Sequence, residues 1–177
     1  MAGWSMGGYL TLLVVTQHGD MISHVVLIDA HGGPELPGPA DIKSALGQAR
    51  KQGLPYPAAA FYPDTEAGNA GLCRLLALQK AMPADIATAE QNKAEPSSGG
   101  ALPTDDFLRD NLPNITNPVL IIAGIRDAVD PFENDVSILS SIPGASLLQY
   151  ADAGHASMLQ HALSSAAIIT AFLDDDA

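Results

Sequence analysis

Five residues near the amino terminus, Gly3-Trp4-Ser5-Met6-Gly7, have the spacing G-x-S-x-G. In that pattern a sharp strand-to-helix turn lifts the serine hydroxyl above a sheet, and glycines two residues to either side let strand and helix approach closely. A hydroxyl is a poor nucleophile until a base takes its proton, so Ser5 acquires chemical meaning only if a histidine and an orienting acid can reach it. The competing explanation is a glycine-rich helix start with an incidental serine. An apolar helix that begins at the serine and leads into a buried strand favours the elbow.

Of the five histidines, His155 in Asp152-Ala153-Gly154-His155-Ala156 follows the last predicted strand, at the strand end where ligands collect in open parallel sheets. His18 and His24 flank a turn at the opposite end and read as solvated. His161 falls on the final helix, a surface position. His31 stands beside Gly32-Gly33 and imitates an oxyanion-loop triplet after the wrong strand, leaving it a residue that could line the pocket. For the acid, Asp127 ends the strand Val119 to Ala123 on the same edge as His155, where a carboxylate can accept the imidazole N–H and fix its tautomer. Asp130, three residues on, is a competitor whose simpler role is to cap the helix after Pro131, and Asp29, at the end of Val25 to Ile28, is the topological alternative.

These residues need elements to hold them. Met6 to Gln17 is apolar on nearly every face, the pattern of a helix buried all round, with Gly19 as a left-handed cap. Val25-Val26-Leu27-Ile28 and Val119-Leu120-Ile121-Ile122 are continuous β-branched or aliphatic runs of the kind covered on both faces of a parallel sheet, and Leu147 to Tyr150 is a weaker third. Helices are predicted over Glu133 to Ser141 and Met158 to Leu173. The alternation defines an α/β class, a parallel sheet with flanking helices. Between Gly32 and Pro118 the texture changes: ten of the 13 prolines lie from Pro34 to Pro113, and Pro96-Ser97-Ser98-Gly99-Gly100 is a breaker cluster. That stretch reads as an insertion with helices around Ala40 to Gln52 and Gly71 to Met82. No strand is read ahead of the elbow.

Composition limits the rest. A chain of 177 residues, 47% apolar and 16% charged, suits one globular domain. A net charge of −12 with scattered basic residues disfavours nucleic acid. Cys73 has no second cysteine for a disulfide or a CxxC metal site and reads as a small buried residue of the insertion. No apolar run reaches the length of a membrane span and no charged n-region precedes an apolar h-region at Met1, so a cytoplasmic location with no membrane partner is expected. The terminal Asp174-Asp175-Asp176 reads as a solvated tail.

Taken together, Gly-Trp-Ser-Met-Gly-Gly at 3–8, Val-Val-Leu-Ile-Asp-Ala at 25–30, Asn-Pro-Val-Leu-Ile-Ile-Ala-Gly at 117–124 with Asp127 and Pro131, and Ala-Gly-His at 153–155 resemble the C-terminal two-thirds of an α/β-hydrolase. The pieces occur in that family's order of nucleophile, acid and base. The resemblance implies a core over 1–33 and 113–177 with a lid or cap over 34–112. It makes Ser5 the nucleophile, Asp127 the acid, His155 the general base and the Met6 backbone N–H one oxyanion donor. In that family four or more strands precede the elbow, so the resemblance implies that Met1 is an internal methionine or that the chain is N-terminally truncated. Val25 to Ile28 would then expose an unpaired edge through which the protein could self-associate.

The expected activity is hydrolysis of a small ester-like substrate through an acyl-enzyme, with no metal or organic cofactor. Two other readings stay open: an inactive fragment that binds, or that needs a partner to supply strands, and a perhydrolase, lactonase or carbon–carbon hydrolase using the same residues. Trp4, beside the serine, is either a pocket wall or a packing residue.

Overall fold

The computed structural model describes residues 1–32, 61–81 and 105–175. Four parallel strands, β1 (Ala2–Trp4), β2 (Val25–Ile28), β3 (Val119–Gly124) and β4 (Ser146–Tyr150), lie side by side in chain order. Ala2 pairs with Val26, Val26 with Leu120, and Leu120 with Ser146. The helices are α1 (Met6–His18), α2 (Glu66–Ala81), α3 (Asp105–Asn111), α4 (Phe132–Ser141), α5 (Ser157–Gln160) and α6 (Ala162–Leu173), with 3-10 turns at Gly19–Met21 and Leu112–Asn114.

Every residue of β2 and β3 is buried, and the two-residue period of a strand divides them between two cores. Val25, Leu27, Val119 and Ile121 pack with Leu12 and Val15 of α1, Leu108 of α3 and Ile138 of α4. Val26, Ile28, Leu120 and Ile122 pack on the other face with Met158 and with Ile168, Ile169 and Phe172 of α6. Helices on both faces of a parallel sheet explain why these strands read as unbroken apolar runs.

Several expectations need correction. A strand does precede the elbow: β1 is only three residues long, too short for any pattern, and is defined by its pairing with β2. Consequently β2 is interior, and the outer edge of the described sheet belongs to β1. Helix α1 is not buried all round. Met6, Leu10 and Val14 are exposed at successive four-residue steps, while Tyr9, Leu12, Leu13 and Val15 face the sheet. Uniformly apolar composition carries no mark of which side neighbours will cover.

Gly19 is right-handed (φ −58°, ψ −30°) and leads into a 3-10 turn, its carbonyl accepting an N–H from the Asn117 side chain at 2.9 Å. The C-terminal helix breaks at His161 (φ −118°, ψ 47°), whose ring contacts Asp152 at 2.8 Å and stacks on Tyr150 at 4.1 Å. His18 is exposed, but His24 is half-buried with its ring edge-on to Phe172 at 5.2 Å.

Between β2 and β3, α2 covers most of the helix expected at Gly71 to Met82 and starts earlier, where the Thr65 hydroxyl accepts the Gly68 N–H at 2.9 Å. Cys73 is exposed rather than buried: α2 turns its Ala67, Gly68 and Gly71 side inward, and position 73 lies about 200° further round the helix from Gly71. The helix expected at Ala40 to Gln52 and the Pro96 to Gly100 cluster lie outside the described residues.

The turn from β1 into α1 is close enough that a Cβ on Gly3 would collide with the Gly7 carbonyl and the Thr11 hydroxyl, and one on Gly8 with Ala30. Gly7 itself has nothing within 4 Å of its Cβ position, so among the described residues Gly3 and Gly8, not Gly7, carry the close approach. Gly3→Ala is therefore expected to destabilise the protein by about 1–3 kcal/mol, the usual cost of forcing a methyl into a filled site, while Gly7→Ala costs less than half as much. Urea denaturation of the two variants checks the order.

Candidate active site

All four strands run the same way, so the segments that follow them emerge at one edge of the sheet, and Ser5, Asp29, Asp127 and His155 all lie there. Ser5 joins β1 to α1 with φ 55° and ψ −126°, a backbone conformation that a non-glycine residue adopts at a cost of about 1–3 kcal/mol. Its N–H donates to the Ile28 carbonyl at 3.0 Å and its own carbonyl accepts from Gly8 N–H at 2.9 Å. With the backbone held, Oγ faces His155, and Ser5 Oγ lies 2.7 Å from His155 Nε2. The other ring nitrogen, Nδ1, is 2.7 Å from Asp127 Oδ2.

The second Asp127 oxygen accepts the N–H groups of Val129 at 2.7 Å and Asp130 at 2.8 Å, so the carboxylate cannot rotate without losing three partners. An ionised carboxylate only accepts, which assigns the proton to Nδ1 and leaves Nε2 free to accept from the serine. His155 is 1% exposed.

Geometry separates the three acids. Asp130 bonds the Asn134 side-chain amide and lies 3.4 Å from His31 Nδ1, not beside His155. Asp29 is bonded to Gly124 and Ser157. Asp127 is the one that meets the imidazole. His31 is half-buried on the Asp130 side, its ring 6.1 Å from Tyr9. His161, His24 and His18 stay away from the serine.

Trp4 packs against the histidine loop: its indole N–H donates to the His155 carbonyl at 2.6 Å, its ring lies 5.6 Å from the imidazole, and it is still 38% exposed. Met6 exposes its side chain and places its N–H in the first turn of α1, where no intrahelical acceptor exists. Phe61, which no sequence pattern singles out, brings its ring to 5.2 Å from His155 and 5.8 Å from Trp4. Gln160 was equally invisible; its side chain accepts from Gly154 N–H and donates to the Phe61 carbonyl, tying the insertion to the histidine loop. Among the described residues no group of three His, Cys, Asp or Glu side chains could hold a metal ion, and no helix is long and apolar enough to cross a membrane.

A parallel sheet flanked by helices, with a strand–serine–helix turn at its edge, is the architecture of an α/β hydrolase. Residues 1–167 match the model of the alpha/beta hydrolase family, and the chain belongs to that family. It is 27% identical over 178 residues to a pimeloyl-[acyl-carrier protein] methyl ester esterase of Aromatoleum aromaticum, covering 96% of this chain and 71% of the relative. Among solved structures it resembles an alpha/beta hydrolase fold protein from Chitinophaga pinensis (TM-score 0.70, 20% identity, 98% of this chain and 64% of that one). A serine hydrolase from Cycloclasticus zankles is similar at TM-score 0.67 and 23% identity, over 99% of this chain and 64% of that one. The chain thus spans just under two-thirds of the length of these two structures.

The edge is crowded with buried carboxyl groups. Burial pushes the Asp127 carboxyl up, and the hydrogen bonds and charge of His155 recover only part of that rise. Burial alone would push His155 down, but its hydrogen bond to Asp127 and the charges of Asp127, Asp29 and Asp130 move it above its ordinary value. Asp135, 1% exposed at the start of α4, is pushed up to about 9 by burial and by the charges of Asp29, Asp130 and Asp127. Among the described residues one of its oxygens has no partner, like the side-chain oxygen of neighbouring Asn134.

A carboxyl that holds its proton more tightly folded than unfolded makes ionisation oppose folding, so Asp135 should erode stability as pH rises from about 4 towards 9. Asp135→Asn should remove that erosion. Its melting temperature relative to the parent is expected to be higher at pH 9 than at pH 5 by several degrees; thermal melts across that range that stay parallel would contradict the assignment.

Proposed function

We propose that this chain is a serine hydrolase of ester-like bonds in which Ser5 attacks, His155 carries the proton and Asp127 orients the imidazole. The observation that carries this is the unbroken line of two 2.7 Å contacts from Ser5 Oγ through His155 to Asp127 Oδ2. As Oγ adds to the acyl carbon, its proton passes to His155 Nε2. The imidazolium so formed is held between Asp127 and the surrounding carboxylates. Collapse of the tetrahedral adduct returns that proton to the leaving alkoxide and leaves an acyl-Ser5 ester; water, deprotonated by the same nitrogen, then adds to the acyl carbon, and the proton passes from His155 to Ser5 Oγ as the acid departs.

The Met6 N–H is the oxyanion donor that the turn supplies. Family membership and the esterase name of the Aromatoleum relative support an ester substrate. A meta-cleavage product hydrolase from Pseudomonas fluorescens has the same fold at TM-score 0.64 and 16% identity, which keeps carbon–carbon hydrolysis as an alternative chemistry for the same three residues. Residues 34–112 are proposed as the lid; the contacts of Phe61 with Trp4 and His155 support this reading.

A second reading, a folded chain that binds without turnover, draws on the exposed Met6, Leu10 and Val14 stripe of α1. A fluorophosphonate probe separates the two. Covalent labelling of the purified chain that disappears in Ser5→Ala supports the hydrolase; a cooperatively melting chain that takes no label supports the binding reading; labelling that survives Ser5→Ala removes Ser5 from its role.

The pH dependence is a further test. His155 must be neutral to accept the serine proton, and its proton affinity is raised, so the labelling rate should fall with unit slope on the acid side of a midpoint above 6.5. Asp127→Asn should lower the rate by about 10⁴-fold, the size expected when the imidazole loses the acid that sets its tautomer, and move that midpoint down. Stopped-flow or gel-based labelling rates from pH 5 to 9 give both numbers.

A further inference from the structure

Asp29 is a fully buried carboxylate that the proposed reaction leaves without a task. It follows β2 directly, in the left-handed region at φ 45°. One oxygen accepts the N–H of Gly124 at 2.9 Å, at the end of β3 and three residues before Asp127. The other accepts both the N–H, at 2.9 Å, and the hydroxyl, at 2.8 Å, of Ser157, two residues after His155. Its own N–H donates to the Ile122 carbonyl at 2.8 Å. One side chain therefore spans the end of β2, the end of β3 and the loop leaving β4.

The two loops it joins are also in mutual contact. Arg126 N–H donates to the Ala153 carbonyl at 2.9 Å, and a Cβ on Gly124 would strike the carbonyls of Ala153 and Gly154. Three donors converge on Asp29, which an acceptor-only group satisfies and an amide cannot, because its NH2 would have to face one of them.

We infer that Asp29 is a positioning residue for the His155–Asp127 pair: it fixes the loop that carries the imidazole against the loop that carries its acid, and stands as a second anion behind the imidazolium. The inference rests on the Ser5–His155–Asp127 reading above. Among the described residues, the charged and titratable groups facing Asp29 are Asp127, Asp135 and His155. Burial and Asp127 push Asp29 up to about 7, against the hydrogen bonds of Ser157, so its charge is partly present at neutral pH, where it favours protonated His155.

The test uses the whole chain labelled with ¹⁵N-histidine. In the parent, imidazole shifts followed from pH 5 to 9 give the His155 midpoint, and a low-field Nδ1 proton reports the bond to Asp127. Asp29→Asn is expected to lower that midpoint by about half a unit or more and to broaden the low-field proton, as loss of a nearby negative charge and of loop anchorage requires. Fluorophosphonate labelling should slow at least tenfold. Ser157→Ala, which removes one donor and keeps the other two, should shift the midpoint in the same direction by less, and Ser157→Thr should restore it.

An Asp29→Asn chain with the parent's midpoint and low-field proton overturns the inference, even if it is slower or less stable. Should Asp29→Asn not fold, Ser157→Ala decides: an unmoved midpoint overturns the inference, and a lowered one that Ser157→Thr restores supports it. Absence of the low-field proton in the parent, with labelling that survives Ser5→Ala, instead removes the reading beneath it.

Discussion

Ser5 occupies a backbone conformation that few residues other than glycine accept, and the geometry of the whole edge depends on its being kept there. Such a conformation persists only where the surroundings over-determine it. Here the Ser5 N–H is bound to the end of β2, its carbonyl opens helix α1, and Gly3 and Gly8 let β1, α1 and Ala30 crowd together with no intervening side chains. If the turn relaxed towards an ordinary conformation, Oγ would swing away from His155. The two sheet faces, with their separate cores, are what hold β2 rigid enough to impose the turn.

The same edge concentrates negative charge. Asp29, Asp127, Asp130 and Asp135 are all buried there, and among the described residues their partners are backbone N–H groups, a hydroxyl, an amide and imidazoles rather than lysine or arginine. Buried carboxyls without cationic partners raise one another's proton affinity, as the upward displacements of Asp29 and Asp135 record. What costs folding energy would, in the proposed reaction, serve a base that must become a cation. An imidazolium formed at residue 155 meets one carboxylate at hydrogen-bonding distance and others behind it, in surroundings where water screens little.

The segment 61–81 is tied to this arrangement through the loop that bears the histidine. Thr65 donates to the Asp152 carbonyl at 2.7 Å, Arg74 to the carbonyls of Leu159 and Gln160, and Gln160 to Phe61. The segment 61–81 therefore cannot shift far without pulling on residues 152–160. Position of that segment and orientation of His155 are mechanically linked, and Trp4 adds a second tie from the serine side.

Much of this was legible without coordinates. The apolar runs of β2 and β3 marked parallel strands covered on both faces, because residues buried on both faces leave no polar alternation; Ser5 could be named as a candidate because it centres G-x-S-x-G, and Asp127 and His155 because each follows a strand-like run. That they lie within 2.7 Å contacts of one another is a fact of three dimensions. Chain order confines all three to one edge but says nothing of the distances between neighbouring strand ends. What stayed hidden is of one physical kind. The three residues of β1 owe their conformation to a partner 24 positions away. The exposed face of α1 depends on what packs against it, and the breaks at Gly19 and His161 are set by the amide of Asn117 and by Asp152 and Tyr150. The choice of Asp127 over Asp29 and Asp130 is made by donors on Gly124, Ser157 and Asn134. Local sequence determines which residues can be buried and where a chain can turn; which donor meets which acceptor is decided by packing between segments far apart in the chain.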